Sequence, residues 1–116
     1  MRVSVAIIIV SCAACRRGGT ADPNADRPSS CLIKHDGGVT QCFDEIGQSA
    51  KAQGSKVCDE MHGEPTFHVG TPCPTDGVIA SCTKGTGTDL ERTERCYREG
   101  AACETRCAKS GGVLVK

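Results

Sequence analysis

Ten of the 116 residues are cysteine and three are histidine. These side chains can ligate metal, carry redox chemistry or cross-link the chain. Three cysteines and two histidines fall in one stretch, Cys58 to Cys82. Cys58 and His62 share a face if the segment is helical, which would be half of a zinc site. Tetrahedral zinc takes four such ligands, usually as two close pairs. The other pairs on offer, Cys103/Cys107 and His68/Cys73, do not build a second C-x-x-C knuckle. Cys12-Ala13-Ala14-Cys15 matches C-x-x-C, but lacks the strand-to-helix setting that lowers a thiol pKa. No metal site and no cofactor is therefore expected, and His35, His62 and His68 read as surface residues. A small zinc-binding domain stays as an alternative.

The cysteines are better read as cross-links. Cys31, Cys42, Cys58, Cys73, Cys82, Cys96, Cys103 and Cys107 are an even set, with roughly a hundred possible pairings. A Cys–His hydrolase needs one free, activated thiol, and an even, oxidised set leaves none. The chain has no G-x-S-x-G, P-loop or dinucleotide fingerprint. Asp59, Glu60 and Glu64 read as a solvated helix end. No catalytic residue is assigned and the chain is expected not to be an enzyme. Thr71-Pro72-Cys73-Pro74-Thr75 is the one segment with a binding character, because two prolines and a staple would pre-organise it. A secreted protease inhibitor or effector-like domain is the alternative it suggests.

Composition agrees with a stapled scaffold. Aromatics make up 3 % of the chain, with no Trp, one Tyr and two Phe. Small domains bury too little surface to be secure on burial alone, and this one is poor in the side chains that bury most per residue. Disulfides persist in oxidising compartments, which places the protein outside the cytosol. Fourteen basic residues balance fourteen acidic ones, so no nucleic-acid partner is expected.

Met1-Arg2 followed by V-S-V-A-I-I-I-V has the order of an export signal. The apolar run is too short to span a bilayer, which takes about 20 residues. Ile9-Val10-Ser11-Cys12 resembles the lipobox of bacterial lipoproteins. That resemblance implies cleavage before Cys12, diacylglycerol on its thiol, and a third chain on the new amine. Cys15 is the alternative, since cleavage there leaves no odd thiol. The implied location is an exported one, anchored by lipid to the outer membrane or the periplasm-facing envelope. Two or more chains anchor stably where one does not. Residues 1–11 are thus the expected signal peptide. Residues 12–30, rich in Gly, Pro, Ser and Asp, are the lipidated end and a flexible tether.

Residues 31–116 must then position the cysteines. Asp36-Gly37-Gly38 between two β-prone runs signals a hairpin, and its open ends make Cys31 and Cys42 candidate partners. Gln48 to Met61 reads as a helix, weakened at Gly54 by about 1 kcal/mol and ended by His62-Gly63 and Pro65. Strands follow at Thr66–Val69 and Val78–Cys82. Thr88 to Tyr97 is ambiguous. Thr88-x-x-Glu91 is a capping box, and Glu91/Arg95 and Glu94/Arg98 suit a helix. As a strand, the same residues would turn alternating charges to water. A helix over 101–109 puts Cys103 and Cys107 on one face, Gly111-Gly112 caps it, and Val113–Val115 is a last strand. A unit of helix, Cys, spacer, Gly and strand occurs twice, around Cys58 and around Cys107.

Gly38-Val39-Thr40-Gln41-Cys42, Cys58 to Gly63, Cys73-Pro74 and Gly77-Val78-Ile79-Ala80-Ser81-Cys82 together resemble small Cys-rich predicted lipoproteins of myxobacteria. That resemblance implies a strand over 88–97, closed by Tyr97, and supplies no activity. Cys96, Cys103 and Cys107 depart from it as extra staples. The expected fold is α+β: a small disulfide-stapled domain with short antiparallel strands and two short helices. The expected function is a non-enzymatic structural or binding domain of the cell envelope.

Overall fold

A two-residue turn opens the fold. In the computed structural model, residues 27–116 are described. Asp36 and Gly37 both adopt positive φ, 53° and 80°, as a two-residue hairpin turn of matching twist requires. They join β1 (Ser29–His35) to β2 (Gly38–Glu45). Then come α1 (Gln48–Asp59), β3 (Glu64–His68), β4 (Ala80–Lys84), β5 (Arg92–Cys96), α2 (Gly100–Ser110) and β6 (Val113–Val115). The signal, Cys12, Cys15 and most of the tether lie outside the described residues. Ser29 and Ser30, read as tether, are buried in β1. Their strand pairs with Asp44–Glu45 on one side, and Ser30 also pairs with His68 on the other.

The six strands form one sheet in the order β3-β1-β2-β5-β4-β6, and every neighbouring pair is antiparallel. That order is a two-fold pattern. In the first half a hairpin (β1, β2) is followed by a helix and by a strand that pairs back onto β1. In the second half a hairpin-like pair (β4, β5) is followed by a helix and by a strand that pairs back onto β4. The halves meet where β2 pairs with β5. The pseudo-dyad passes through the Phe43–Glu94 pair. Gln41↔Cys96 on one side of it mirrors Glu45↔Arg92 on the other, and Cys42↔Arg95 mirrors Asp44↔Thr93. Each unit alone would leave a strand edge unpaired, a liability that folded proteins cover. Each covers the other's. The repeat seen in sequence around Cys58 and Cys107 is therefore the C-terminal part of a larger ββαβ duplication.

Both helices lie on one face of the sheet, and the disulfides follow from strand alternation. Cys31 and Phe43 are direct partners, so they share the helix face. Cys42, one residue earlier on β2, faces the opposite side. This is why Cys31 and Cys42 are not bonded to each other, contrary to the pairing suggested by the hairpin. Cys31 bonds Cys58 of α1, and at the pseudo-equivalent place Cys82 of β4 bonds Cys107 of α2. Cys42 instead bonds Cys73, in the connection that crosses the other face. Cys96–Cys103 is a second staple under α2. The core is correspondingly thin. One cluster holds Cys31, Ile33, Phe43 and Cys58, with Met61 and Phe67 against it. The other holds Ala80, Cys96 and Cys103, with Leu114.

Two local readings are altered by these contacts. Residues 92–96 form a strand, as the family resemblance implied, and it ends at Cys96 rather than Tyr97. The capping-box residues do bond locally: the Thr88 hydroxyl accepts from Leu90 N–H, and Glu91 accepts from Gly87 N–H. They close a turn, and no helix propagates from it because β2 and β4 take up the following backbone. That turn caps α1 instead. α1 has no side-chain cap, and Ala50 N–H donates to the Asp89 carbonyl at 3.0 Å.

Gly54 is present for a packing reason. A Cβ there would lie 2.7 Å from the Phe67 ring and 3.2 Å from Glu45 Cγ. Gly54→Ala is accordingly expected to destabilise by about 1–2 kcal/mol, overpacking outweighing the gain of about 1 kcal/mol in helix propensity. A urea-unfolding midpoint equal to or above that of the parent protein would contradict the close approach.

Candidate functional site

The chemistry of this domain sits on the central strand pair and on the surfaces to either side of it. On the helix face, Glu45 is 2 % exposed and takes a 2.8 Å hydrogen bond from Arg92 Nη2. The Arg92 guanidinium lies 4.5 Å from the centroid of the Phe43 ring, a cation–π contact. Also on that face, buried Glu94 accepts from Gln41 Nε2 and from Arg106 Nη2, both at 2.6 Å. On the opposite face, Asp44 is 2 % exposed and accepts from Arg95 Nε and from the Cys73 backbone N–H, both at 2.7 Å. As a strand, residues 88–97 are expected from their sequence to turn their charges to water. Instead Glu94 is buried, and Arg92 and Arg95 meet buried carboxylates. The signal was there: Asp44-Glu45 and Arg92-Thr93-Glu94-Arg95 carry complementary charges, but only the β2–β5 register brings them together.

Burial pushes the Glu45 carboxyl above its ordinary 4.5, against the lowering effect of Arg92. A raised carboxyl pKa means that the folded state holds the proton more tightly than the unfolded chain. The contribution of Glu45 to stability is therefore largest below 4.5 and shrinks as pH rises through the raised value. Glu45→Gln removes that titration. Unfolding free energies measured from pH 4 to pH 7 should fall more steeply with rising pH in the parent protein than in the variant. Parallel curves would refute the assignment.

Two cavities occupy related positions about the pseudo-dyad. The larger, about 210 Å³, lies between α1 and the β4–β5 connection and is lined by Glu45, Ala50, Gln53, Val57, Leu90 and Arg92. Arg92 Nε is buried there without an acceptor among the described residues. The smaller, about 70 Å³, is lined by His35, Thr40, Gln41, Arg98, Glu99 and Arg106, between the β1–β2 hairpin and α2.

The third feature is the connection between β3 and β4. Cys73 is 3 % exposed and pinned by its disulfide to Cys42 and by its N–H to Asp44. Pro74 C=O accepts from the Tyr97 hydroxyl, and Gly70 N–H donates to Ser29 Oγ. Burial, with the Asp44 charge adding, holds the Tyr97 phenol above its ordinary range, so it remains a donor. Between these ties Thr71, Pro72, Pro74, Thr75, Asp76 and Gly77 are exposed. Val69 and Ile79, at the ends of the segment, are 65 % and 47 % exposed.

The other residues singled out from sequence separate. Cys58 is in a disulfide, and His62 is exposed beyond the end of α1. His35 and His68 are exposed as well. Asp59, Glu60 and Glu64 are exposed. Glu94, Cys96 and Cys103 do converge, with ligand atoms within 4.8 Å of one another. Their two sulfurs are bonded to each other, whereas zinc binds thiolates. All eight cysteines from Cys31 onward are paired. No described helix is long and apolar enough to cross a membrane.

The fold and its staples define a small α+β domain stabilised by disulfides, of the kind found in oxidising compartments. Comparison with protein-family models, curated proteins and solved structures finds no match for the chain.

Proposed function

We propose that this is a lipid-anchored, non-catalytic domain of the bacterial cell envelope that presents the segment Thr71–Gly77 to a protein partner. One observation carries the binding role. The segment is fixed from below by a disulfide, a charged acceptor and a tyrosine hydroxyl, while its outward side chains meet solvent. A surface ordered before contact loses less entropy on binding. The pairing of all eight domain cysteines and the salt bridges of Asp44, Glu45 and Glu94 support a non-catalytic reading. Anchoring rests on the lipobox at Cys12, with Cys15 as the alternative, and its likeness to myxobacterial Cys-rich lipoproteins supports an envelope setting.

The two parts are tested separately. Fatty-acid labelling in a bacterial host should mark the parent protein and vanish when Cys12→Ala and Cys15→Ala are combined; label that persists would refute the anchor. A photocrosslinking residue at Thr75 should yield a discrete adduct that one at Lys109 does not. Identical patterns at both positions would remove the segment from the binding role. The same pinned Pro72-Cys73-Pro74 corner favours a second reading, protease inhibition. Stoichiometric inhibition of a protease with the segment left intact would select it.

A further inference from the structure

We infer that the small cavity between the β1–β2 hairpin and α2 binds a phosphate group, either free or on an anionic lipid headgroup. The cavity is lined by His35, Thr40, Gln41, Arg98, Glu99 and Arg106 and holds about 70 Å³. A single water needs about 10–15 Å³ of such space, so the cavity has room for one compact polar group and leaves the rest of a larger ligand outside.

Its lining is not a requirement of the fold. The pseudo-equivalent cavity beside α1 is lined partly by Ala50, Val57 and Leu90. Val57 on α1 stands where α2 carries Arg106. The duplication thus makes two cavities of similar placement, and only one has gathered two guanidinium groups and an imidazole.

Arg98 is the principal cation of the cavity. It is exposed and has no ion-pair partner among the described residues. It is nonetheless seated: a Cβ at Gly38 would fall 1.7 Å from Arg98 Nη2. The guanidinium therefore lies against the backbone of the hairpin, in space that only glycine leaves open. Arg106 Nη2 is engaged with Glu94 and Cys96 Sγ, which leaves the donors on Nε and Nη1 of the guanidinium's five. α2 begins at this cavity with no side-chain cap and no acidic residue in its first turn, so its first N–H groups add positive potential. Arginine forks and backbone N–H groups are the usual partners of phosphate. Glu99 is the opposing charge on the lining. It sets a limit on affinity and provides a control whose effect runs the other way.

The experiment is calorimetric titration of the full chain with inorganic phosphate at low ionic strength. Saturable binding is expected. Arg98→Gln should weaken it on the order of tenfold or more. Gly38→Ala removes no group from the site and places a methyl where the guanidinium tip rests; the flexible side chain can swing aside, so a loss smaller than that of Arg98→Gln is expected. Glu99→Gln should tighten binding, and Lys56→Gln on α1 should leave it unchanged. Arg98→Gln keeps the test valid if Gly38→Ala fails to fold. Absence of saturable binding, or equal binding by Arg98→Gln, would overturn the site. The source is read from vesicles, using the full chain kept unlipidated by Cys12→Ala and Cys15→Ala. Binding to phosphatidylglycerol vesicles that is lost with Arg98→Gln assigns the headgroup. Binding of inorganic phosphate without vesicle binding assigns a soluble phosphate. Either result supports the site.

Discussion

Full reduction of the four disulfides is expected to unfold the domain at room temperature. The bridges Cys31–Cys58, Cys42–Cys73 and Cys82–Cys107 close segments of 27, 31 and 25 residues, and Cys96–Cys103 closes one of 7. Loop-closure entropy assigns about 3.5 kcal/mol to each long bridge and about 2.4 kcal/mol to the short one. Their combined effect, about 13 kcal/mol, is as large as the whole net stability of an ordinary domain of this size. Little else could compensate. Among the described residues, Ile33 and Phe43 are the only buried non-cysteine side chains larger than Ala in the apolar core, and the other members are cysteines and two alanines. Reduction would thus remove both cross-links and core contacts. Circular dichroism in excess phosphine reductant should show loss of the sheet and no cooperative melt. A melting temperature unmoved by reductant would show that the bridges are incidental. The staples should also rank. Replacing Cys96 and Cys103 by serine should cost least, because the loop is shortest and because Glu45 and Gly54, their pseudo-equivalents in the first half, carry no bridge there.

The staples also mark the boundary of what the amino-acid sequence reveals. Cysteine parity and the short apolar runs are local facts, and they yield the α+β class, both helices and most strands. Pairing is a non-local fact. Cys31 and Cys42 look like partners from hairpin spacing, and the sheet register separates them by placing one on each face. The ion pairs stayed hidden for the same reason. Arg92, Glu94 and Arg95 read as helix charges or as solvated strand charges until β5 is set between β2 and β4. The capping box at Thr88 misleads because its hydrogen bonds form in a turn as readily as in a helix. The duplication was visible only at its C-terminal end, where helix and glycine recur. The hairpin connections differ, two residues in one half and a seven-residue turn in the other, and that difference masks the rest.

Asp44→Ala is expected to destabilise the domain by about 3 kcal/mol and to loosen the β3–β4 connection at the same time. Asp44 holds two donors that have no other acceptor among the described residues: the Arg95 Nε–H, and the backbone N–H of Cys73, whose residue is 3 % exposed. Truncation leaves a buried amide unsatisfied and a guanidinium without its carboxylate. Arg95 is 30 % exposed along its side chain, so water takes up part of its charge, which keeps the cost at the lower end for a broken buried pair. For a domain of this size the melting temperature should fall by about 12 °C or more. Asp44→Asn separates the two roles. Its carbonyl oxygen can still accept from Cys73 N–H, while the charge opposite Arg95 is gone, so roughly half of the loss should return. Hydrogen exchange at Cys73 gives the local readout. Its amide should exchange much faster in the Ala variant than in the Asn variant, although the Cys42–Cys73 bridge is intact in both. If the connection is the binding element, partner crosslinking at Thr75 should fall with that protection, because the disulfide fixes where the segment attaches and Asp44 fixes how it is presented. An Ala variant that melts with the parent protein and exchanges Cys73 at the same rate would show that the bridge alone orders the segment.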